Sequence, residues 1–474
     1  MKPVVRILSA AFALFMLDSP PLHAANFTWA GGDLLSGNWS AGSNWAANLA
    51  PTNDGTADLF FTGNAGLNPN ANLDWSIHAL AFSSDAGGFT IQGNPLTLGA
   101  GGIVSSDDSV QTIQNEVVLA ASQTFRTAST GSFSVNGNIN TGGNTLTVDA
   151  ATDFIVLGGA IAGSGAIASI GVNSLVLTGD ASNTYTGGTT VSGSLILGKT
   201  GGATAIPGAL FIGGGAGYNN VGIGFDEQIA DTSAVTINGG ASLTLGAGVV
   251  ETIGALALGN GTVRIGSGSL KVGSVAMTGG AISSTTAGLL ILAGNLSATG
   301  GGLALSTITG RIDLGGAART FAIADAADAI ELDVPATISN GSIVKTGAGT
   351  LRIRGTQTYS SLLAQAGTVN LETPLGTGTS SITVAPAAGT ATMDFDANQR
   401  LASLTIGNGG IVNLNAGAAA PAPALDAQLL PIFAMERDDL RTDASQSVPE
   451  PGALNLLLVG ASAFFLRRRL TPRA

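Results

Sequence analysis

The chain has 474 residues, a net charge of −12, 70 glycines and no cysteine, and only 10% of its residues are charged while 45% are hydrophobic. This composition excludes disorder of the highly charged type and all thiol chemistry, and the acidic balance argues against a nucleic-acid partner. Gly, Thr, Ser and Asn in short alternation with β-branched residues indicate an all-β fold.

Residues 1–25 have the pattern of a secretory signal peptide. Lys2 and Arg6 precede an apolar run at 7–17, two prolines end that run, and alanines follow. A basic start, a short apolar helix and small residues are typical of a signal that the general secretion machinery recognises and removes. We therefore expect residues 1–25 to form a signal helix that is cut off on export. An uncleaved anchor is the alternative.

Residues 26–71 form a tryptophan-rich segment. Three of the 4 tryptophans of the chain, Trp29, Trp39 and Trp45, lie close together in it. One interpretation is an N-terminal cap, in which the indole rings cover the open end of a repeat domain. The other is an aromatic platform that contacts sugar rings, because an indole offers a large apolar face with a polar edge. We favour the cap and keep the three tryptophans as candidate glycan-contact residues.

Residues 72–417 consist of short repeats. The clearest pair, at 173–198 and 345–371, shares two alternating apolar strands, glycine turns and an equivalent tyrosine, Tyr185 or Tyr359. Period-2 strands repeated over hundreds of residues predict a β-solenoid, with an array of β-sandwiches as the alternative. Roughly 22 residues per coil would give about 16 coils and a rod of about 75 Å. Leu, Ile and Val would stack inside, and Thr, Ser and Asn would form ladders outside.

These units resemble the autotransporter-associated β-strand repeat of bacterial passenger domains. The resemblance rests on KTGAGTL at 345–351 with Tyr359 and GTVNL at 367–371, and on NTYTGGTTV at 183–191 with GSLIL at 193–197. The surrounding segments share only the general pattern of short alternating strands and glycine turns. The resemblance implies a right-handed parallel β-helix displayed at the cell surface.

The C-terminal region divides into a spacer and a three-part tail. Residues 418–447 are rich in Ala and Pro and then in charged residues, which is typical of a linker. The tail, 448–470, begins with a short motif and continues with a mostly apolar run at 452–466. As a helix this run would be about 22 Å long, which is short for a permanent membrane span. The two ends of the tail are Val448, Pro449, Glu450 and Pro451, and Arg467, Arg468 and Arg469.

The tail resembles the PEP-CTERM sorting signal, whose whole pattern is this motif, a short apolar helix and an arginine cluster. Its prolines hold the motif extended, which suits the cleft of a processing enzyme, and its arginines mark a cytoplasmic end. The resemblance implies transient membrane insertion through a short C-terminal transmembrane helix, cleavage by an exosortase-type enzyme, and delivery to the cell surface or extracellular matrix. A plain anchor that is never cut is the alternative.

Residues suited to catalysis are sparse. The densest acidic patch is Asp325, Asp328, Glu331 and Asp333, with Arg311 and Arg319 upstream. We favour a solvated loop over a weak Ca²⁺ site there, and His78 stands alone in the exported chain. We therefore expect no catalytic residue, no metal and no cofactor.

The sequence thus predicts a structural or adhesive protein of the biofilm or envelope that contacts extracellular polysaccharide. A β-helical polysaccharide lyase or glycosidase, or a glycan-binding adhesin, is the alternative.

Overall fold

The computed structural model describes residues 25–33, 35–215, 219–300, 305–374 and 378–415, and the backbone of 454–457. The predicted signal peptide, apart from its last residue, and the spacer at 418–447 lie outside the described residues. So do the motif Val448–Pro451 and the arginines at 467–469. Of the apolar run at 452–466, only Leu454–Leu457 is described, and this segment forms a strand rather than a helix.

The described residues form a parallel β-solenoid of about 16 turns. Each coil contributes strands to two sheets, and each strand pairs with its equivalent in the next coil. In the first sheet one of the shorter steps joins Leu256 to Val275, and one of the longer steps joins Leu210 to Val235. The predicted coil length of about 22 residues lies between these two steps. Because strands of successive coils pair in parallel, the solenoid prediction is confirmed. The sandwich array is wrong, because it would need antiparallel pairs throughout.

The strands divide between the two sheets as follows, with one short 3₁₀ helix at Gly42–Asn44. The first sheet contains β1 (Ala25–Thr28), β2 (Ala57–Phe61), β4 (Trp75–Phe82), β6 (Leu96–Ser105), β8 (Val117–Leu119), β9 (Gln123–Thr127), β11 (Ile139–Asn140), β12 (Leu146–Ala150), β14 (Ile161–Ala162), β15 (Ile167–Ser169), β17 (Thr189–Val191), β19 (Leu210–Ile212), β21 (Val235–Asn238), β23 (Val250–Gly259), β25 (Ser269–Thr278), β27 (Leu289–Leu292), β28 (Leu296–Thr299), β30 (Arg311–Ala324), β32 (Thr337–Thr346), β34 (Gln357–Thr358), β35 (Ser361–Ala364), β37 (Ser381–Val384), β39 (Ser403–Ile406) and β41 (Leu454–Leu457). The second sheet contains β3 (Asn70–Ala71), β5 (Thr90–Gly93), β7 (Gln111–Ile113), β10 (Phe133–Val135), β13 (Ile155–Leu157), β16 (Ser174–Leu177), β18 (Ser194–Leu197), β20 (Asn220–Ile223), β22 (Ser242–Leu245), β24 (Thr262–Ile265), β26 (Ala281–Ser284), β29 (Ser306–Thr309), β31 (Leu332–Val334), β33 (Thr350–Ile353), β36 (Gly367–Leu371), β38 (Ala391–Phe395) and β40 (Gly410–Leu414).

The core runs along the rod between the two sheets. Alternate side chains of each short strand point into it, so that Leu177, Leu197, Ile223 and Leu245 stack from coil to coil in register. All four are at most 2% exposed. Burying one such side chain contributes about 1.5–3 kcal/mol. Since a single coil cannot bury its own apolar face, stacking is what makes such short strands stable.

The two sequence repeats each correspond to one turn of the solenoid. Leu175 pairs with Leu195, and Leu351 pairs with Val369, both in the second sheet. Each unit therefore starts on one coil and ends one coil later at the same place in the sheet. The equivalent tyrosines are both buried, at 1% exposed for Tyr185 and 0% for Tyr359. The alignment made from sequence thus describes a structural repeat.

Glycine at the turns has a steric cause. Gly179 has a φ of +89°, and a Cβ atom there would lie 2.1 Å from the carbonyl oxygen of Gly158 in the preceding coil. Both the positive φ and the close approach exclude a side chain. Similar contacts recur at other turns, because a Cβ atom would lie 1.9 Å from a carbonyl oxygen of the preceding coil at Gly137 and 2.1 Å at Gly193.

Candidate functional site

The predicted sorting residues, Val448–Pro451 with Arg467–Arg469, are not among the described residues, so their geometry carries no argument. Within the described part of the chain, no helix has the length and hydropathy that crossing a membrane requires. The candidate functional features that remain are the tryptophan cluster, the charged side chains and the outward polar rows of the two sheets.

The three N-terminal tryptophans lie in the core. Trp29 and Trp45 meet edge to face with ring centroids 5.2 Å apart, and the Trp45 indole donates a hydrogen bond of 2.8 Å to the carbonyl oxygen of Trp39. None of the three is more than 1% exposed. The glycan platform is therefore wrong for this fold, because no indole face is open to a sugar ring. The packing supports the cap interpretation.

Asn44 organises this segment, and the sequence did not single it out. Its amide group donates to the carbonyl oxygens of Ser36 at 2.8 Å and Asn38 at 3.0 Å, while its side-chain oxygen accepts the backbone N–H of Asp33 at 2.9 Å. Asn44 is fully buried, with an exposed fraction of 0%. Its side chain thus provides hydrogen-bond partners for backbone groups of Asp33, Ser36 and Asn38, which lie outside the regular strands. The only sequence signal was its place directly before Trp45.

The acidic patch is only half solvated. Asp325 and Asp328 are exposed, as expected of a loop, but Glu331 is 1% exposed and Asp333 only 2%. The prediction of a solvated loop is therefore wrong for Glu331 and Asp333. The four carboxylates do not form one site, because the buried pair is committed to other partners.

Asp333 holds two arginines of the next coil. Its carboxylate accepts hydrogen bonds from Arg352 at 3.0 Å and from Arg354 at 2.9 Å, with a second, shorter bond from Arg354. Burial alone would raise the pKa of Asp333, but the hydrogen bonds from Arg354 and Arg352 outweigh it and lower the pKa.

The upstream Arg319 has a different partner. It donates to the backbone carbonyl of Ala293 at 2.6 Å. Arg319 thus takes no part in the ion pairs of Asp333, which join two neighbouring coils through Arg352 and Arg354.

Lys345 of the clearest repeat is buried. Its ammonium group donates to the carbonyl oxygens of Gly347 at 2.7 Å and Ala366 at 2.9 Å, and the residue is 0% exposed. Burial lowers the pKa of Lys345 to about 8, although the charge of Glu331 opposes the shift. The carboxylate of Glu331 accepts the N–H of Thr350 at 2.5 Å. Lys345 and Glu331 thus satisfy backbone carbonyl and N–H groups at the turns and stabilise them by buried hydrogen bonds.

Glu251 is a second buried acid. Its carboxyl oxygens accept the backbone N–H groups of Gln228 at 2.9 Å and Ile229 at 3.0 Å. Burial raises the pKa of Glu251 to about 8, against the hydrogen bonds from Ile229 and Gln228 and with help from nearby Glu227 and Asp231. The two hydrogen bonds tie Glu251 to the preceding coil, and they offset only part of the cost of burying its charge.

His78 has a partner that the sequence did not reveal. Its Nδ1 lies 2.7 Å from the carboxylate of Asp58 in the preceding coil, and its side chain is 40% exposed. The two residues, 20 positions apart, lie side by side across neighbouring strands, and His78 is still the only histidine of the expected exported chain. In the described ranges, no three His, Asp or Glu side chains are grouped as a metal site would need.

The outward faces carry ordered rows of small polar side chains. In the first sheet Ser342, Ser361, Ser381 and Ser403 pair in register over four coils, and the hydroxyls of Ser361 and Ser342 are 2.9 Å apart. The second sheet has a similar row that includes a hydroxyl-to-amide bond of 2.8 Å. Its members are Ser174, Ser194, Asn220, Ser242 and Thr262. The predicted polar ladders are confirmed at these positions.

In comparisons with known proteins, no family model, no curated protein and no solved structure matched this chain.

Proposed function

We propose that the protein is exported, sorted to the cell surface or extracellular matrix, and acts there as a structural rod without enzymatic activity. The observation that carries the proposal is the tail, in which Val448–Pro451, a short apolar run and the arginines at 467–469 follow one another in the order of a sorting signal. In this proposal a signal helix directs export, the C-terminal run forms a short transmembrane helix, and an exosortase-type enzyme removes it. The solenoid is right-handed, as in the passenger-domain repeats it resembles.

The described fold supports a structural role. About 16 coils stacked at ~4.8 Å form a rod of about 75 Å that no disulfide needs to hold. Among the described residues, its buried charged groups join coil to coil, as Asp333 does with Arg352 and Arg354. The outward hydroxyl rows have the coil spacing, and such a regular row suits repeated hydrogen bonds with the hydroxyls of a polysaccharide chain.

The test of sorting is the intact mass of the native protein from the producing cell. We expect a chain that ends between positions 448 and 452 and lacks the arginines. Glu450→Gln should leave the tail attached and reduce retention at the surface, whereas Glu436→Gln in the spacer should change neither. A wild-type chain that still ends at Ala474 would make the tail a plain anchor and overturn matrix delivery.

The test of glycan contact uses the serine row. Replacing Ser342, Ser361 and Ser381 together by alanine should reduce retention of the folded protein on polysaccharide from the producing cell. The matched control replaces three exposed serines that belong to neither row, Ser84, Ser182 and Ser267. Equal binding by all variants would remove the serine row from the proposal, and turnover of the polysaccharide by the wild type would favour the enzyme instead.

A further inference from the structure

The two ends of the solenoid are covered to different extents. At the N-terminal end the tryptophan cluster is buried, with Trp45 only 1% exposed. At the other end the inward side chains Leu404 and Val412 are half-buried, whereas Ile382 and Met393 in the preceding coil are 0% exposed. A last coil leaves both apolar side chains and unpaired backbone groups open, which repeat proteins normally cover. Among the described residues, this open end is β39 and β40.

One strand from elsewhere in the chain lies on this end. The backbone of β41 pairs with β39 over four positions, from Ser403 opposite Leu457 to Ile406 opposite Leu454. Every other pairing between described strands is parallel, so β41 is not a further coil but an added edge strand. The stretch of sequence between Asn415 and Leu454 is ample for an antiparallel return, and loop closure grows costlier only slowly with length.

We propose that, before processing, Leu454–Leu457 docks on β39 as an antiparallel edge strand and keeps the tail away from the membrane. This inference rests on the proposed sorting function, because the same segment belongs to the run that would enter the bilayer. It cannot pair with β39 and form a membrane helix at once, so the two states exclude each other.

The cysteine-free chain allows a direct test. Thr405 lies opposite Asn455, and Thr383 lies one coil deeper in register with Thr405. We would oxidise the unprocessed full-length protein carrying Thr405→Cys with Asn455→Cys, and compare it with the matched control, Thr383→Cys with Asn455→Cys. The control Cα atoms would be separated by a further ~4.8 Å, which exceeds the span of a disulfide. We expect on the order of tenfold more intramolecular disulfide in the first variant.

Each outcome bears on the proposal. Equal cross-linking of both variants, or none in either, would overturn docking at β39. A disulfide only between two chains would show that a second copy occupies the edge, which also overturns it. In the producing cell, the cross-linked variant should keep its tail, and reduction should restore processing. Failure of the sorting proposal would look different, because the wild-type tail would then remain uncut whether or not the cross-link forms.

As an independent measurement, amide hydrogen exchange of β39 should be slower in the full chain than in one ending at Pro451. Equal exchange in the two chains would contradict docking.

Discussion

The two equivalent tyrosines are expected to respond in opposite directions to loss of their hydroxyl groups. The hydroxyl of Tyr185 shares a hydrogen bond of 2.5 Å with the Thr189 side chain. The hydroxyl of Tyr359 is buried and has no hydrogen-bond partner in the part of the chain that the structure describes. Tyr185→Phe should therefore destabilise its coil, and Tyr359→Phe should stabilise its own.

The magnitudes follow from the two environments. A typical hydrogen bond contributes about 1 kcal/mol net, and Thr189 would be left without its partner while only 2% exposed, so Tyr185→Phe should cost about 1–2 kcal/mol. An unpaired buried hydroxyl costs about 1–3 kcal/mol, so Tyr359→Phe should gain about 1 kcal/mol. The ring stays in place in both variants, so no cavity contributes to either value.

The assay must be local, because long repeat arrays need not unfold in one step. Urea unfolding gives the global change, and amide hydrogen exchange of the peptides around each tyrosine gives the change in its own coil. The reasoning is refuted if Tyr359→Phe destabilises its coil as much as Tyr185→Phe does, since the Tyr359 hydroxyl must then have a partner.

Three further changes test the charged clusters and the cap. Because burial raises the folded pKa of Glu251 to about 8, the stability that it provides is complete below about pH 4.5 and is lost as the pH rises to about 8. Wild-type stability should thus fall by a few kcal/mol across that range in urea titrations, whereas Glu251→Gln should show no such fall and should be less stable than the wild type in acid, because its amide NH2 would face one of the two backbone N–H groups. Asp333→Asn should cost about 2 kcal/mol at neutral pH, and less in acid, where Asp333 is itself protonated. Trp45→Ala should cost about 3–5 kcal/mol, with faster hydrogen exchange confined to the first coils, because each coil contacts only its neighbours.

Much of the architecture could be predicted from sequence, because each coil of a solenoid repeats the same pattern of inward apolar positions and turn residues. Leu175 and Leu177 show the period of two, and Gly179 marks the turn that follows them. The same pattern at Leu351 and Ile353 reveals that the unit recurs. Each of these signals is local, since inward positions, turns and the stacking partner all follow from the spacing along one coil.

The charged groups could not be predicted in this way. Asp58 and His78 lie 20 positions apart, and only the register of neighbouring coils brings them together. The partners of Asp333 are arginines of the following coil, 19 and 21 positions further along the chain. Coil length varies along the rod, as the steps from Leu256 to Val275 and from Leu210 to Val235 show, so the register of a given outward pair cannot be counted from sequence alone.

The difference between the two ends of the rod determines how many neighbours it can accept. A subunit with two reactive ends grows into a fibre, whereas a subunit with one reactive end can only form a pair. The tryptophan cluster fills the N-terminal end of the core, whereas among the described strands removal of the tail would leave the edge of β39 and β40 uncovered. The mature protein is therefore expected not to form fibres through its ends, and its largest end-to-end assembly would be a dimer about twice the ~75 Å rod length.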